Sequence, residues 1–446
     1  MSKILKSFAG AALLFALAAV SANAQQPLSL EQCLQHAKDH NIQLNRARQE
    51  AAMASVNLKR SRMDYLPKVN ASADVNRIYG TAFDNNTFQR VTATTTTSYP
   101  IINAQLVLFD GFQKYFSLKQ NRALATAGQA MIARTETEVE ARVILYFLQS
   151  IFDQENIRIA EQRIELLQAQ LNKVQKLEQS GVKTEADIFL IRSQVATEKL
   201  DLLTHQNNYK RNLLLLLQEA NLPTAQEYQL TPPATAENTT TTIAPLEELL
   251  QEVNQNSIYL KEARLQVEAN RQALHVSRTN LSPTLTLTGS IGSSYSSNGL
   301  FDPETRRIVP TPYFDQLDQN LFQVLTLRLN IPVFNGLSAH YNNQLARLQL
   351  RNAELNYSTT EQQLRQTVQQ AYHDVVTAKQ KYQTVQTELE AVQKSFDYAK
   401  RKYDSGSIDF FVYLETLNNK SKAEVQLLQS QYEFYLKQQV LNLYKQ

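Results

Sequence analysis

LRQTVQQAYHDVVTAKQKYQTVQTELEAVQKSFDYAKRKY, residues 364–403, decides the fold. Leu364, Val368, Ala371, Val375, Ala378, Tyr382, Val385, Leu389, Val392, Phe396, Ala399 and Tyr403 follow one another in alternating steps of four and three. That is a heptad seam, and a sustained seven-residue repeat implies helices that supercoil left-handedly about a partner. Shifting the register back by 225 gives Val139, Val143, Tyr146, Ser150, Asp153, Ile157, Ala160, Ile164, Leu167, Leu171, Val174 and Glu178, of which nine are apolar. The seam is therefore written twice. From Gly111 to Gly181 and from Gly336 to Gly406 there are 69 intervening residues in each case, without a proline. At about 1.5 Å per residue each stretch predicts a helix about 100 Å long.

The rest of the chain repeats in the same order. Leu30-Glu31-Gln32-Cys33-Leu34 matches Leu246-Glu247-Glu248-Leu249-Leu250 at an offset of 216, and Pro67 matches Pro283 at the same offset. Phe109-Asp110-Gly111 matches Phe334-Asn335-Gly336 at an offset of 225. The second copy thus gains about nine residues between its proline and its Phe-Asx-Gly. The expected organisation is a first repeat over 25–220, a Thr/Pro-rich linker over 221–245 in an equatorial region, and a second repeat over 246–446. Each repeat reads helix, two strands, very long helix, shorter returning helix. The first helices span about 28–66 and 246–282, and the returning helices about 182–220 and 407–444.

The strand pairs alternate. Val69, Ala71, Ala73 and Val75 share one face, as do Leu285, Leu287 and Ile291. The return strands place Ile102, Ala104, Leu106 and Leu108, and Leu327, Leu329, Ile331 and Val333, in the same way. Polar side chains fill the other face, the apolar-out and polar-in pattern of a membrane barrel. Long polar loops are expected at about 80–98 and 297–320, with Tyr79, Tyr99, Tyr295 and Tyr313 near the strand ends as an aromatic girdle. Four strands cannot close a barrel, and open edges are not tolerated in lipid, so copies of the chain must close together.

The first 24 residues read as a secretory signal: Lys3 and Lys6, an apolar core over Phe8–Val20, and Ala22-Asn23-Ala24 as the cleavage site. Its removal leaves 43 basic and 42 acidic residues, a near-neutral balance that gives no reason to expect nucleic-acid binding. One cysteine, Cys33, excludes an intrachain disulfide framework, and ten glycines argue against phosphate-cradling loops. His36 and His40 stand at i, i+4, but no carboxylate or cysteine in register joins them; two surface histidines and no metal are expected. No nucleophile-elbow, P-loop or zinc-protease motif occurs, so neither an enzyme nor a cofactor is expected.

Taken together, the duplicated plan, the Phe-Asp-Gly and Phe-Asn-Gly junctions and the tip sequences Ser180-Gly181-Val182-Lys183-Thr184 and Ser405-Gly406-Ser407-Ile408-Asp409 make the chain resemble the outer-membrane factor family, the TolC-like channel-tunnels of Gram-negative bacteria. The resemblance covers the whole mature chain. It implies an α+β membrane protein, a homotrimer with a long coiled-coil helical barrel and a transmembrane β-barrel of four strands per chain. The implied role is that of a passive exit duct in the outer membrane for tripartite efflux or type I secretion. The implied partners are a periplasmic adaptor (membrane fusion) protein and an inner-membrane pump of the RND or ABC class. The family also implies adaptor docking at the tips, here Gly181, Val182, Lys183, Gly406, Ser407 and Ile408. Its periplasmic gate maps by position onto Asp187 and Tyr403 as an acid–tyrosine link and onto Glu415 as an acidic ring, with Asp409 the fourth candidate. Ile408 stands where some relatives carry a linking arginine and Val412 where a second ring acid can occur. Packing of Phe410, Phe411 and Tyr413 is expected to compensate. The competing class, a poreless periplasmic coiled-coil structural or adaptor protein, would carry one coiled-coil hairpin between small β domains rather than two copies each with an alternating strand pair.

Overall fold

A computed structural model describes residues 26–92, 94–226, 228–233 and 243–445. The secretory signal lies outside them, as do residues 227 and 234–242 of the linker.

In chain order the elements are β1 (Gln26–Leu28), α1 (Leu30–His40), α2 (Ile42–Met63), β2 (Lys68–Ile78), β3 (Thr81–Asp84), β4 (Gln89–Thr92), β5 (Thr95–Phe109), α3 (Gln113–Gln179), α4 (Glu185–Ala220) and β6 (Tyr228–Leu230). There follow α5 (Leu246–Asn256), α6 (Ile258–Arg278), β7 (Thr284–Gly292), β8 (Tyr295–Ser296), β9 (Leu300–Asp302), β10 (Arg307–Val309), α7 (Tyr313–Gln319), β11 (Phe322–Asn330), α8 (Ser338–Asp404) and α9 (Phe410–Leu443). The chain divides into two compact units. One draws on the described residues of Met1–Gln49, Gln129–Lys261 and Thr359–Gln446, the other on Glu50–Gly128 and Glu262–Ser358. Each unit draws on both halves of the sequence.

The first unit is helical. Both long helices, α3 and α8, run 67 residues without a break. All twelve seam positions of α8 and all twelve of α3 are buried or half-buried. Burying each large seam side chain stabilises by roughly 1.5–3 kcal/mol, enough to dominate local stability. Two of the three positions at which the first seam departs from apolar character, Ser150 and Asp153, are held by polar partners. Ser150 donates to the Tyr146 carbonyl, and Asn212 of α4 donates to the Asp153 carboxylate at 2.7 Å. Nearby, Arg163 pairs with Glu198 at 2.8 Å. Burial raises both the Asp153 and Glu198 carboxyls, against the opposing pull of Asn212 and Arg163.

Two expectations for this unit change. The single first helix of each repeat is two helices, because Asn41 and Ser257, 216 residues apart, break it. Asn41 ends α1 with extended ψ of 130° and accepts the Gln43 and Leu44 amides on its Oδ1, thereby starting α2. Ser257 repeats the device with ψ of 129° and accepts the Tyr259 amide. The linker also carries structure: β6 pairs in parallel with β1, Leu28 beside Leu230, and closes a core around Cys33, Phe147, Ile151 and Leu216.

The second unit contains a sheet in the order β11-β7-β5-β2, with β8 also on β5. Every pairing is antiparallel. Registers align the alternating side chains into rows: Ala71–Ile102–Ile291–Gln323, Val69–Ala104–Gly289–Leu325, and Leu106–Leu287–Leu327. One face, apolar in these rows except at Gln323, thus runs across all four main strands. Opposite it lie Asn70–Asn103–Ser290–Val324 and Lys68–Gln105–Thr288–Thr326. Three residues expected on the apolar face stand elsewhere: Leu108, Ile331 and Val333. Leu108 is the extra residue of a bulge, so that Phe109, not Leu108, stands beside Leu285. β11 ends at Asn330, because Pro332 cannot donate to a ladder; Ile331 and Val333 follow the strand.

The expected polar loops are also built rather than open. β3 and β4 form a hairpin, and β9, β10 and α7 occupy the longer second loop. Asp84 joins the two: it accepts from Ser296 and from Asn298, while Gln316 of α7 donates to the Ser296 carbonyl at 2.9 Å. Those hydrogen bonds hold the Asp84 carboxyl below the usual range although burial acts the other way.

The register predicts how the faces differ. An arginine at the bilayer midplane of a barrel's outer face costs about 2–4 kcal/mol per chain. Leu287→Arg, in the centre of an apolar row, is expected to abolish the heat-modifiable oligomer in membrane fractions, and Thr286→Arg on the opposite face to retain it. Equal behaviour of the two variants would overturn the assigned faces.

Candidate functional site

Two regions carry the residues that bear on function. The first is the pair of helix tips, both in the helical unit. Gly181 and Gly406 adopt φ of 73° and 71°, and a Cβ on either would meet nothing within 4 Å. The requirement for glycine is therefore conformational. The Gly181 and Val182 amides donate back to the Glu178 and Leu177 carbonyls, and the Gly406 and Ser407 amides to Tyr403 and Lys402. Each long helix ends in the same left-handed cap. The returning helices then start on side-chain caps. Thr184 and Asp187 form a capping box, and Asp409 accepts the Val412 amide at 3.0 Å. Val182 and Ser407 are exposed, Lys183 is half-buried, and Ile408 packs on the apolar cluster beneath the tips.

Of the gate candidates, Asp187 accepts hydrogen bonds from the Thr184 amide and hydroxyl, both at 2.9 Å. The Thr184 amide is the main reason its carboxyl lies below the usual range. Within the chain no hydrogen bond joins it to Tyr403 among those of the described residues. Tyr403 instead stacks on Tyr413 with ring centroids 4.8 Å apart, and Lys173 Nζ lies 5.3 Å from its ring centroid. Burial raises its phenol, with smaller contributions from Asp404 and Asp187. Glu415 is exposed on α9. Phe410 and Tyr413 are buried, but Phe411 is 61% exposed, which removes it from the expected packing cluster. His36, expected on the surface, is half-buried, and its Nδ1 is 2.8 Å from the Ala220 carbonyl oxygen.

The second region is the sheet, with two free edges at β2 and β11. Leu325, Leu327 and Leu329 are 76%, 62% and 60% exposed along β11. Such a face requires lipid or another chain. At the strand-to-helix junctions Gly111-Phe112 and Gly336-Leu337 are consecutive left-handed residues, φ between 62° and 69°. Gly111 is doubly constrained, since a Cβ there would overlap the Ser282 side chain. Aromatic residues cluster around these junctions: Tyr65, Phe109, Phe112, Tyr115, Phe334 and Tyr341, all more than 40% exposed. The expected girdle, Tyr79, Tyr99, Tyr295 and Tyr313, lies at the opposite strand ends. The recurrence of Phe109, Phe112 and Tyr115 every three residues past the strand was the available signal for the other.

The model of the outer membrane efflux protein family matches residues 33–220 and 249–445. The chain belongs to that family. No curated protein sequence matches it. Solved structures with the same fold include the Campylobacter jejuni CmeC outer membrane channel, 17% identical, with 93% of this chain and 85% of that one covered at a TM-score of 0.77. VceC of Vibrio cholerae, an outer membrane protein, is 14% identical over 93% and 96% of the chains with a TM-score of 0.76. MtrE of Neisseria gonorrhoeae, a channel in its open state, is 16% identical over 93% and 88% with a TM-score of 0.75. This efflux protein is accordingly an outer-membrane channel component with a helical barrel portion and a β-barrel portion, and its structural neighbours are channels rather than enzymes. No described helix is long and apolar enough to cross a membrane. In this outer membrane efflux protein the apolar rows of the sheet have the character of a barrel face turned to lipid.

The capping box at the tip gives a pH signature. A carboxyl held low in the folded state contributes stability above its unfolded pKa of about 4 and loses it as pH falls through the lower folded value. Protection of the Thr184 and Asp187 amides from hydrogen exchange, relative to the intrinsic rate at each pH, is expected to fall below about pH 4, and Asp187→Ala to remove that pH dependence. An unchanged profile in the variant would contradict the cap.

Proposed function

We propose that the chain acts as a homotrimer, a passive outer-membrane duct through which an inner-membrane pump expels cargo across a periplasmic adaptor. The apolar face shared by four strands, with both sheet edges unpaired, is the observation that carries this reading. A poreless coiled-coil protein has no use for such a face. The two repeats over 25–220 and 246–446, joined by the 221–245 linker, each supply two strands and one long helix to the assembly. The duct does no chemistry; energy enters at the pump, of the RND or ABC class.

The tips dock the adaptor in this reading. Gly181, Val182 and Lys183, with Gly406, Ser407 and Ile408, offer two exposed reversals of matching backbone geometry. The gate lies beside them: Tyr403 with Asp187 as its neighbouring acid, Asp409 at the start of α9, and Glu415 as a ring of three carboxylates. Carboxylates gathered at a constriction favour cations and repel one another when ionised.

Single-channel recordings of the purified protein in planar bilayers test the duct. A conductance is expected, with Glu415→Ala lowering cation preference and Tyr403→Phe raising conductance. An intact oligomer without conductance would refute the duct; unmoved values in both variants would refute only the gate. Bulky substitutions at Lys183 and Ser407 are expected to abolish cross-linking to the adaptor, and unimpaired cross-linking would place docking elsewhere.

A further inference from the structure

The sheet face opposite the apolar rows is neutral along β5 and β7, where Asn103, Gln105, Thr284, Thr286, Thr288 and Ser290 line it. Its charges sit on the two edge strands. Lys68 opens β2 and Arg328 lies near the end of β11, both at the ends of their strands next to the helix junctions. Arg328 stands directly opposite Thr286, and Lys68 directly opposite Gln105. Thr286, Gln105 and Lys68 line one cavity of about 570 Å³, into which Arg60, Asp64, Asp110 and Lys114 also open.

The charge balance there is one-sided. Arg60, Lys68 and Lys114 line the cavity with Asp64 and Asp110, and Arg328 stands beside it, opposite Thr286. Lys68 is 3.9 Å from Asp64, both well exposed, a pairing too open to neutralise either firmly. Asp110 is engaged with the Lys114 amide, and Lys114 Nζ donates to the Val107 carbonyl at 3.2 Å, which fixes its charge at the junction. Among the described residues no carboxylate lies within ion-pair distance of Arg328, and its strand is exposed along its length. The acid on this face, Asp74, lies three rows farther along β2 and opposite Tyr99.

We infer that Lys68 and Arg328 form a cationic ring at the helix-proximal end of the β-barrel lumen that favours anionic solutes. The inference rests on the proposed duct, since closing the sheet by pairing β11 with the β2 edge of the next copy gathers the Arg328 end of one strand and the Lys68 end of the other on the same face, in adjacent rows. Three copies then present six cations around the helix-proximal end of the pore. Rings of arginine and lysine select anions in water-filled pores, just as acidic rings select cations. Lumen-facing charges of a barrel tune selectivity without affecting its insertion. The ring is distinct from the Glu415 carboxylates and opposite in sign. Anionic or zwitterionic small molecules fit such a path better than polycations.

Reversal potentials of the full-length protein in bilayers under a KCl gradient test the ring. The double variant Lys68→Gln/Arg328→Gln is expected to lower the chloride-to-potassium permeability ratio about twofold or more at 0.1 M salt and less at 1 M, where the screening length falls to about 3 Å. Glu415→Ala is expected to shift the same ratio the other way. Arg328→Cys removes any dependence on folding differences, because one protein can receive either charge. Cys33 is fully buried, so a methanethiosulfonate reagent reacts at the new site. A cationic reagent is expected to restore anion preference and an anionic one to reverse it. Conducting channels whose reversal potential ignores both the double variant and the attached charge would overturn the ring, whereas a wild-type oligomer with no conductance would overturn the duct itself.

Discussion

Backbone hydrogen bonding in a medium without water is the constraint on which the structure depends. Each strand residue carries a donor and an acceptor, and each left unpaired in hydrocarbon costs several kcal/mol. β5 and β7 satisfy both of their sides within the chain; β2 and β11 satisfy one each. The apolar rows commit this sheet to lipid, and lipid does not tolerate the open sides of β2 and β11. In the proposed assembly those open sides are met by other copies of the chain, before any helix contact is considered. A four-stranded share per chain also explains why the chain on its own exposes so many large apolar side chains.

The helical unit answers a different demand, that of length. Two uninterrupted 67-residue helices are sustained by a seam rather than by propensity, and the seam is buried along its whole course. The duplicated seams are not chemically equal. The first accommodates Asp153 and the nearby Arg163–Glu198 pair among its helices, where the second has Ala378 at the position of Asp153 and Ala423 at that of Glu198. Removing one member of such a buried pair strands the other, at about 3–5 kcal/mol. The first helix pair is thus more sensitive to single substitutions than the second, although both follow one plan.

Much of this was legible because periodicity speaks directly about burial. The heptad positions, the positive-φ glycines at 181 and 406, the alternation at 69–75 and 285–291 and the nine-residue change of offset between the two copies all follow from repeats that a sequence displays. What escaped depended on single side chains acting on the backbone. Asn41 and Ser257 break a helix whose apolar pattern continues through them, and nothing in the pattern marks a cap in the middle. The bulge at Leu108 shifts register by one residue, invisible to an alternation that looks regular on both sides. β6 is a three-residue strand in a linker that composition marks as irregular. At the tips, Asp187 was legible as an acid in the right place. Its engagement with Thr184 follows from an i, i+3 spacing that also reads as an ordinary capping box.

The edge constraint can be tested through one geometric fact. Within a chain β2 and β11 are separated by β5 and β7, hence by three strand spacings of about 4.8 Å, or about 14 Å in all. A disulfide cannot bridge Cα atoms more than about 7 Å apart. Cysteines introduced in pairs, one at Asn70 or Ser72 of β2 and one at Thr326 or Asn330 of β11, can therefore join only different copies. Oxidation of the protein in outer-membrane preparations, followed by denaturing electrophoresis, should give a covalent ladder that ends at three chains for at least one pair. A ladder that continues beyond three would contradict the trimer, and exclusively monomeric chains for every pair would contradict closure of the barrel by edge pairing.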